Sequence, residues 1–225
     1  MLIEAYKFQT VRIVRIVREA EKAVSIQLER PVGYNFAPGQ HAVVRVQLPD
    51  GIKLVRQYSF SSAPDSATIC LTIVQEGDGI VSTWFNQTAM VGDTVELSQP
   101  FTGPLVQKLP RTKVCMIAGG SGIAPLMSHL QLRRSAKFFN TVLLYSTRTD
   151  ELCFVSKLTP LPGESIEIRL TDRAPRFTPE EILHSIQGTD QILICGSRPF
   201  VLAMRAICEA QSPADKIHIE AFSLQ

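Results

Sequence analysis

The chain has 225 residues, with 23 Lys plus Arg against 21 Asp plus Glu, and hydrophobic and charged fractions of 45% and 20%. That length suits one large domain or two small ones, and the composition excludes disorder, collagen and a disulfide-stapled miniprotein. A formal charge of only +2 argues against a nucleic-acid binder.

From residue 8 to 97 the apolar runs are short and rich in β-branched residues, at 11–17, 24–28, 42–48, 54–60 and 68–74. Pro31-Val32-Gly33, Pro38-Gly39, Asp50-Gly51, Ala63-Pro64-Asp65 and Gly77-Asp78-Gly79 separate them, and only 80–90 has a helical pattern. Short strands with turn signals and no long helices between them predict an antiparallel β-barrel or sandwich. From Lys113 onward the pattern changes: strand cores at 114–118, 142–145, 166–170, 192–195 and 217–222 alternate with helix-length segments at 125–134, 150–158, 178–186 and 199–210. That alternation predicts βαβ units on a five-stranded parallel sheet. Thr178-Pro179-Glu180-Glu181 supplies an N-cap, a proline at the first helical position and acids in the first turn. Three prolines and Gly103 interrupt both patterns between 100 and 111, so the expected domains are 1–104 and 105–225.

Residues 114–132 contain no charged side chain, but Gly119, Gly120, Ser121, Gly122, Pro125, Ser128, His129 and Gln131 interrupt the run, so no membrane insertion is expected. The N-terminus lacks the basic-then-apolar order of a signal peptide, which points to a reducing, cytoplasmic setting. Cys70, Cys115, Cys153, Cys195 and Cys208 form no CxxC, so neither a zinc site nor a cysteine-held iron-sulfur cluster is expected within the chain.

Two segments carry chemistry. In 115–125 an apolar strand runs into Gly119-Gly120-Ser121-Gly122 and then a helix, an arrangement that lets backbone N–H groups approach a pyrophosphate. Pro125 stands where the usual dinucleotide fingerprint has its last glycine, and a plain strand-to-helix turn is the structural alternative. Arg56-Gln57-Tyr58-Ser59-Phe60-Ser61-Ser62 combines a phosphate-gripping guanidinium, a stacking ring and hydroxyls, with Arg56, Tyr58 and Phe60 on one face. A half-buried strand ending in a serine loop has the same pattern.

Arg56-x-Tyr58-Ser59-x-x-Ser62, Gly79-Ile80-Val81-Ser82, Gly120-Ser121-Gly122-Ile123-Ala124-Pro125, Cys195-Gly196-Ser197 and Glu220-Ala221-Phe222, in that order, resemble the motifs of the ferredoxin-NADP reductase family. The resemblance covers essentially the whole chain. It implies FAD on the barrel, with Arg56 at its phosphates, Tyr58 stacked on the isoalloxazine, Ser59 near N5, and Gln57, Val74, Gly79, Val81, Ser82 and Phe222 as further contacts. It implies a nicotinamide nucleotide on the parallel sheet, held by Gly120, Ser121, Pro125, Ser146, Arg148, Arg173, Cys195 and Gly196. Ser59, Cys195 and Glu220 would then be the catalytic set, and the absence of an acid directly after the second strand of that sheet favours NADPH over NADH.

The implied activity is transfer of electrons from NADPH or NADH through FAD to a separate acceptor, such as a ferredoxin, a flavodoxin or an oxygenase component. A noncatalytic electron-transfer subunit, a reductase of free flavin and a nucleotide-binding sensor are the alternatives. Arg12, Arg15, Arg18 and Lys22 could steer an acidic partner or form an ordinary solvated face.

Overall fold

The computed structural model describes residues 6–48, 50–107, 109 and 112–222. Its first half is a six-stranded antiparallel sheet in the order β4-β3-β6-β1-β2-β5, built from β1 (Gln9–Ala20), β2 (Ala23–Glu29), β3 (His41–Gln47), β4 (Lys53–Ser59), β5 (Thr68–Val74) and β6 (Thr94–Leu97). A bridge between Phe60 and Leu71 brings the two edge strands together and closes the barrel. β1 serves two partners: Gln9 to Arg12 pair with β6, and Ile13 to Ala20 pair with β2 through two irregularities that bend the strand. Alternate residues of β2, β3 and β5, including Ile26, Leu28, Val44, Val46, Leu71 and Ile73, fill the interior with Phe60 and Phe85. The helix α1 (Ile80–Gln87) plugs one end through Val81 and Phe85.

The second half is a parallel sheet in the order β11-β10-β7-β8-β9. Its strands are β7 (Val114–Gly119), β8 (Thr141–Thr147), β9 (Glu164–Leu170), β10 (Gln191–Ser197) and β11 (Ile217–Phe222), with α2 (Ile123–Ser135), α3 (Pro179–Ser185) and α4 (Arg198–Cys208) between them. The run at 114–118 is continuously apolar because both faces of β7 are covered. Val114, Met116 and Ala118 pack with Ile123, Leu126 and Leu130 of α2, while Cys115 and Ile117 pack with Ile182 of α3 and Val201 of α4. At α3, Thr178 Oγ1 accepts from the Glu181 N–H (3.3 Å) and Glu181 Oε2 accepts from the Thr178 N–H (2.7 Å), a complete capping box.

The expected helix at 150–158 does not form. Two short 3₁₀ turns, Thr149–Glu151 and Val155–Lys157, stand there instead, with Phe154 between them in the left-handed region at φ 63°. The cause is tertiary: Glu19 of the barrel accepts the Phe154 N–H at 2.9 Å, and the Asp150 carbonyl accepts the Lys22 N–H at 2.8 Å. The same segment therefore clamps the two halves together. Ala23 and Val74 of the barrel complete the α2-side core with Leu105, while Ser128 and Gln131 of α2 donate to the Ser62 and Ser61 carbonyls at 2.7 and 2.6 Å.

Candidate functional site at the junction of the two halves

On the barrel edge, β4 pairs with β3 so that Arg56 lies opposite Val44, Tyr58 opposite Ala42 and Ser59 opposite His41. Arg56 and Tyr58 thus share a face. The Arg56 guanidinium is exposed and bonds only its neighbour's carbonyl, Val55 O, at 2.9 Å among the described residues. The Tyr58 ring is half-buried, edge-on to Phe85 at 5.9 Å, and burial pushes its phenol up. Ser59 is 7% exposed, and its hydroxyl has no hydrogen-bond partner among the described residues. Gln57 is exposed on the opposite face.

The turn into α1 requires glycine at 79, where a Cβ would lie 2.8 Å from Ser82 Oγ and 2.9 Å from Glu76 O. Ser82 donates its hydroxyl to Gly79 O at 2.9 Å, closing the turn on itself. Val81 is 1% exposed in the barrel core, so toward a cofactor it offers its backbone N–H rather than its side chain. Val74, 8% exposed, belongs to the core shared by the two halves. An exposed guanidinium, a half-covered ring, a free hydroxyl and a glycine-tight helix start fit a flavin dinucleotide: charge for phosphate, a face for the ring system and a donor at its edge.

In the parallel sheet, β8 and β9 are added on one side of β7, and β10 and β11 on the other, so the strand order reverses between β7 and β10. Ligands of open α/β sheets bind outside the carboxyl ends at such a reversal. Here Gly119, Gly122 and Gly196 let two backbones meet: a Cβ on Gly122 would lie 2.2 Å from Cys195 O, and one on Gly119 or Gly196 would lie 2.8 Å from the Phe200 ring. Gly120 takes φ +53°, and Ser121 is half-buried at the mouth. Pro125 is buried in the first turn of α2, where no helical partner for its missing N–H exists. Phe200 lines the crevice and no motif in the sequence marks it.

Cys195 is fully buried and lies opposite Glu220 in the β10–β11 ladder. Burial first, and the Glu220 charge second, raise its thiol well above the ordinary range, so it remains protonated and serves as shape and as a weak donor. Glu220 is pushed up to about 7 by burial, and its Oε2 is buried without a hydrogen bond. Its carboxyl oxygens come within 3.2 Å of where a Gly103 Cβ would stand, so a larger residue at 103 would displace it. Phe222 is half-buried against the α2-side core. His41, the cross-strand neighbour of Ser59, stacks on Phe101 with centroids 5.9 Å apart and leaves Nδ1 buried and unpartnered. No motif marks His41 beyond its place on a strand.

Beyond β8, Ser146 is half-buried and Arg148 is exposed, with its Nε 3.4 Å from Asp150 Oδ1. Arg173 is exposed past the end of β9. Of the four basic residues considered for steering, Lys22 is bound to Asp150 at 2.7 Å, Arg18 bonds Asn86, Arg12 bonds Gly92 O at 3.3 Å, and Arg15 is exposed. The five thiols are free and buried, and among the described residues no group of three His, Cys, Asp or Glu is placed to hold a metal ion. No described helix is long and apolar enough to cross a membrane.

An antiparallel barrel with an exposed guanidinium and a half-covered ring on its edge, joined to a parallel sheet with a glycine-built crevice, is the two-half arrangement found in flavin- and pyridine-nucleotide-dependent reductases. Residues 11–105 match the oxidoreductase FAD-binding domain family, and the whole chain has the fold of ferredoxin-NADP reductases. The ferredoxin reductase component of 3-ketosteroid-9-alpha-monooxygenase from Mycobacterium tuberculosis is 28% identical over 239 residues, covering 94% of this chain and 64% of that protein. The glycine betaine monooxygenase reductase subunit of Chromohalobacter salexigens is 31% identical over 121 residues, covering 52% of this chain and 33% of that one. The crystal structure of a ferredoxin NADP+ reductase from Neisseria gonorrhoeae with bound FAD and NADP superposes with a TM-score of 0.79 at 24% identity, covering 96% of this chain and 98% of that one. The chain thus spans just under two thirds of the length of the monooxygenase reductase component it matches.

Proposed function

We propose that the protein is an NAD(P)H-dependent flavoprotein reductase that passes electrons from NADH or NADPH through FAD to a separate redox protein, a ferredoxin or an oxygenase component. The observation that carries this is the contact between the halves: Glu220 of β11 lies against Gly103, two residues past Phe101, on which His41, the cross-strand neighbour of Ser59, stacks. The free Ser59 hydroxyl ends β4 beside the flavin-ready face, while Cys195 and Glu220, paired across β10 and β11, end at the nucleotide crevice. The reductase subunits among the curated relatives support the direction of electron flow.

In this reading residues 1–104 form the flavin domain and 105–225 the nucleotide domain. Arg56 neutralises the FAD phosphates, the Tyr58 face supports the ring system, and the α1 N–H groups with Gly79, Val81 and Ser82 receive the pyrophosphate. FAD held there would supply the hydride-accepting and electron-donating chemistry that the side chains themselves lack. Gly120, Ser121 and the start of α2 hold the nucleotide's phosphates, and the glycine contact at Gly122 and Gly196 leaves its backbone room. Ser59 donates a hydrogen bond where the two rings meet. Cys195, protonated and apolar in character, shapes the nicotinamide slot, and Glu220 holds or releases one proton near neutral pH. Five buried free thiols suit a cytoplasmic, reducing setting.

Anaerobic addition of NADH or NADPH to the FAD-loaded protein tests the proposal. Loss of the yellow flavin colour with either nucleotide supports it, and a flavin that stays oxidised with both refutes it.

A further inference from the structure

The faces of β2 and β5 turned away from the barrel interior carry Ala23 and Val74, which join the core of the parallel-sheet half, and next to them Ser25 and Thr72. Ser25 and Thr72 are cross-strand partners, 2% and 6% exposed, with hydroxyls 2.9 Å apart. They form the middle of a longer chain. Ser25 Oγ donates to Glu19 Oε1 at 2.6 Å, and Thr72 Oγ1 lies 2.8 Å from Ser61 Oγ, which is also buried. At one end Glu19 Oε2 accepts the Phe154 N–H of the parallel-sheet half at 2.9 Å. At the other, Ser61 stands two residues after Ser59, and its carbonyl accepts Gln131 Nε2 of α2 at 2.6 Å.

A carboxylate only accepts, and each hydroxyl has one proton. Ser25 directs its proton to Glu19, so Thr72 must donate to Ser25, and Ser61 to Thr72. Every member is satisfied in that direction and in no other. Buried hydroxyls are costly unless paired, and apolar residues at 25 and 72 would simply extend the core that Ala23 and Val74 begin. An apolar seam tolerates sliding, whereas a directed chain of single-proton bonds exists in one register. Resting on the reading of the chain as a flavoprotein reductase, we infer that Ser25 and Thr72 are positioning residues: through Glu19 and Ser61 they fix the nucleotide half against the Ser59 end of the flavin face. The segment after β8 is tied in at Phe154 and the helix after β7 at Gln131, so both converge on residue 61. Reacting atoms must meet at about 3–3.5 Å, and a displacement of about 1 Å costs about 100-fold, so a looser register lowers the transfer rate rather than the affinity for either cofactor.

Thr72→Val keeps the shape and removes both of the bonds Thr72 makes, Ser25→Ala removes the middle hydroxyl, and Thr72→Ser retains the hydroxyl. Anaerobic mixing of each FAD-loaded protein with a range of NADH or NADPH concentrations separates the limiting rate of flavin bleaching from the apparent Kd. Thr72→Val and Ser25→Ala are expected to lower the limiting rate about tenfold while the apparent Kd moves less than about twofold, and Thr72→Ser to restore the rate. Without turnover, the flavin absorbance change on saturation with NAD+ or NADP+ is expected to shrink in the first two variants and return in the third. A merely structural role would lower Tm and leave both readouts at wild-type values in the folded protein. A wild-type limiting rate, a loss carried by Kd alone, no shrinkage of the absorbance change, its absence from the wild type, or a Thr72→Ser that restores nothing would each overturn the inference. Should Thr72→Val fail to fold, Ser25→Ala decides by the same readouts. A wild type whose flavin absorbance responds to nucleotide but which neither NADH nor NADPH reduces would refute the reductase reading, and the absorbance change in the variants then decides the inference alone.

Discussion

Replacing Glu220 with Gln keeps the shape of the side chain and removes its charge, and the consequence can be worked from its surroundings. Burial moves the carboxyl from 4.5 to about 7, so the folded protein favours the neutral form. That displacement corresponds to about 3 kcal/mol of differential stability between protonation states. The folded-state value is raised, so the stabilisation is complete below about 4.5 and is lost as pH rises through about 7. The wild type should therefore lose about 2–3 kcal/mol relative to Glu220→Gln between about pH 5 and about pH 8. Urea unfolding of both proteins with saturating FAD and no nucleotide, at those two pH values, measures the difference from the midpoints and slopes. A variant-minus-wild-type difference that is the same at both would refute the buried, unpaired carboxyl and the proton role built on it.

Ser59→Ala should retain FAD yet slow its reduction by NADH on the order of 100-fold, because a donor at the meeting point of the rings is lost; stopped-flow absorbance checks the rate and the protein-bound flavin fraction checks retention. Arg56→Ala should show the converse, with FAD affinity weakened by about 10- to 100-fold in equilibrium dialysis. A full flavin complement after purification of Arg56→Ala would remove the phosphate assignment. Gly122→Ala forces a Cβ to within 2.2 Å of Cys195 O, so the ends of β7 and β10 must part. It should cost about 1–3 kcal/mol in thermal or urea unfolding and weaken ADP-ribose binding together with stability.

The architecture was legible wherever a local pattern and its tertiary setting agree. The apolar run at 114–118, the glycines after it and the Thr178 cap are each strong alone, and each forms what its pattern predicts. The strand β6 left no comparable mark, because Thr94–Leu97 is only four residues long and alternates polar with apolar beside a proline-bounded loop. It is held by β1 and β3 from both sides, a long-range pairing that no local window contains. The missing helix at 150–158 has the opposite cause. Its residues tolerate a helix, but Glu19 and Lys22, more than 120 positions away in the chain, take the N–H and carbonyl that a helix would use.

The site divides in the same way. Arg56, Tyr58, Ser59, Gly79 and the 119–122 turn are chemically conspicuous, and their order along the chain made the resemblance specific. His41 and Phe200 carry no motif, and only strand register and glycine packing place them at the junction. Glu19 reads in sequence as one acid near a strand end. Its meaning comes from Ser25 and Phe154, which the fold brings to its two oxygens.

The most direct test of the account is anaerobic stopped-flow reduction of the FAD-loaded protein with NADH and with NADH deuterated at C4. Direct transfer between rings held at the Ser59, Cys195 and Glu220 junction predicts bleaching of the flavin that is slower with the deuterated donor. A flavin that remains oxidised, or one that bleaches at the same chemical rate with both donors, would contradict it.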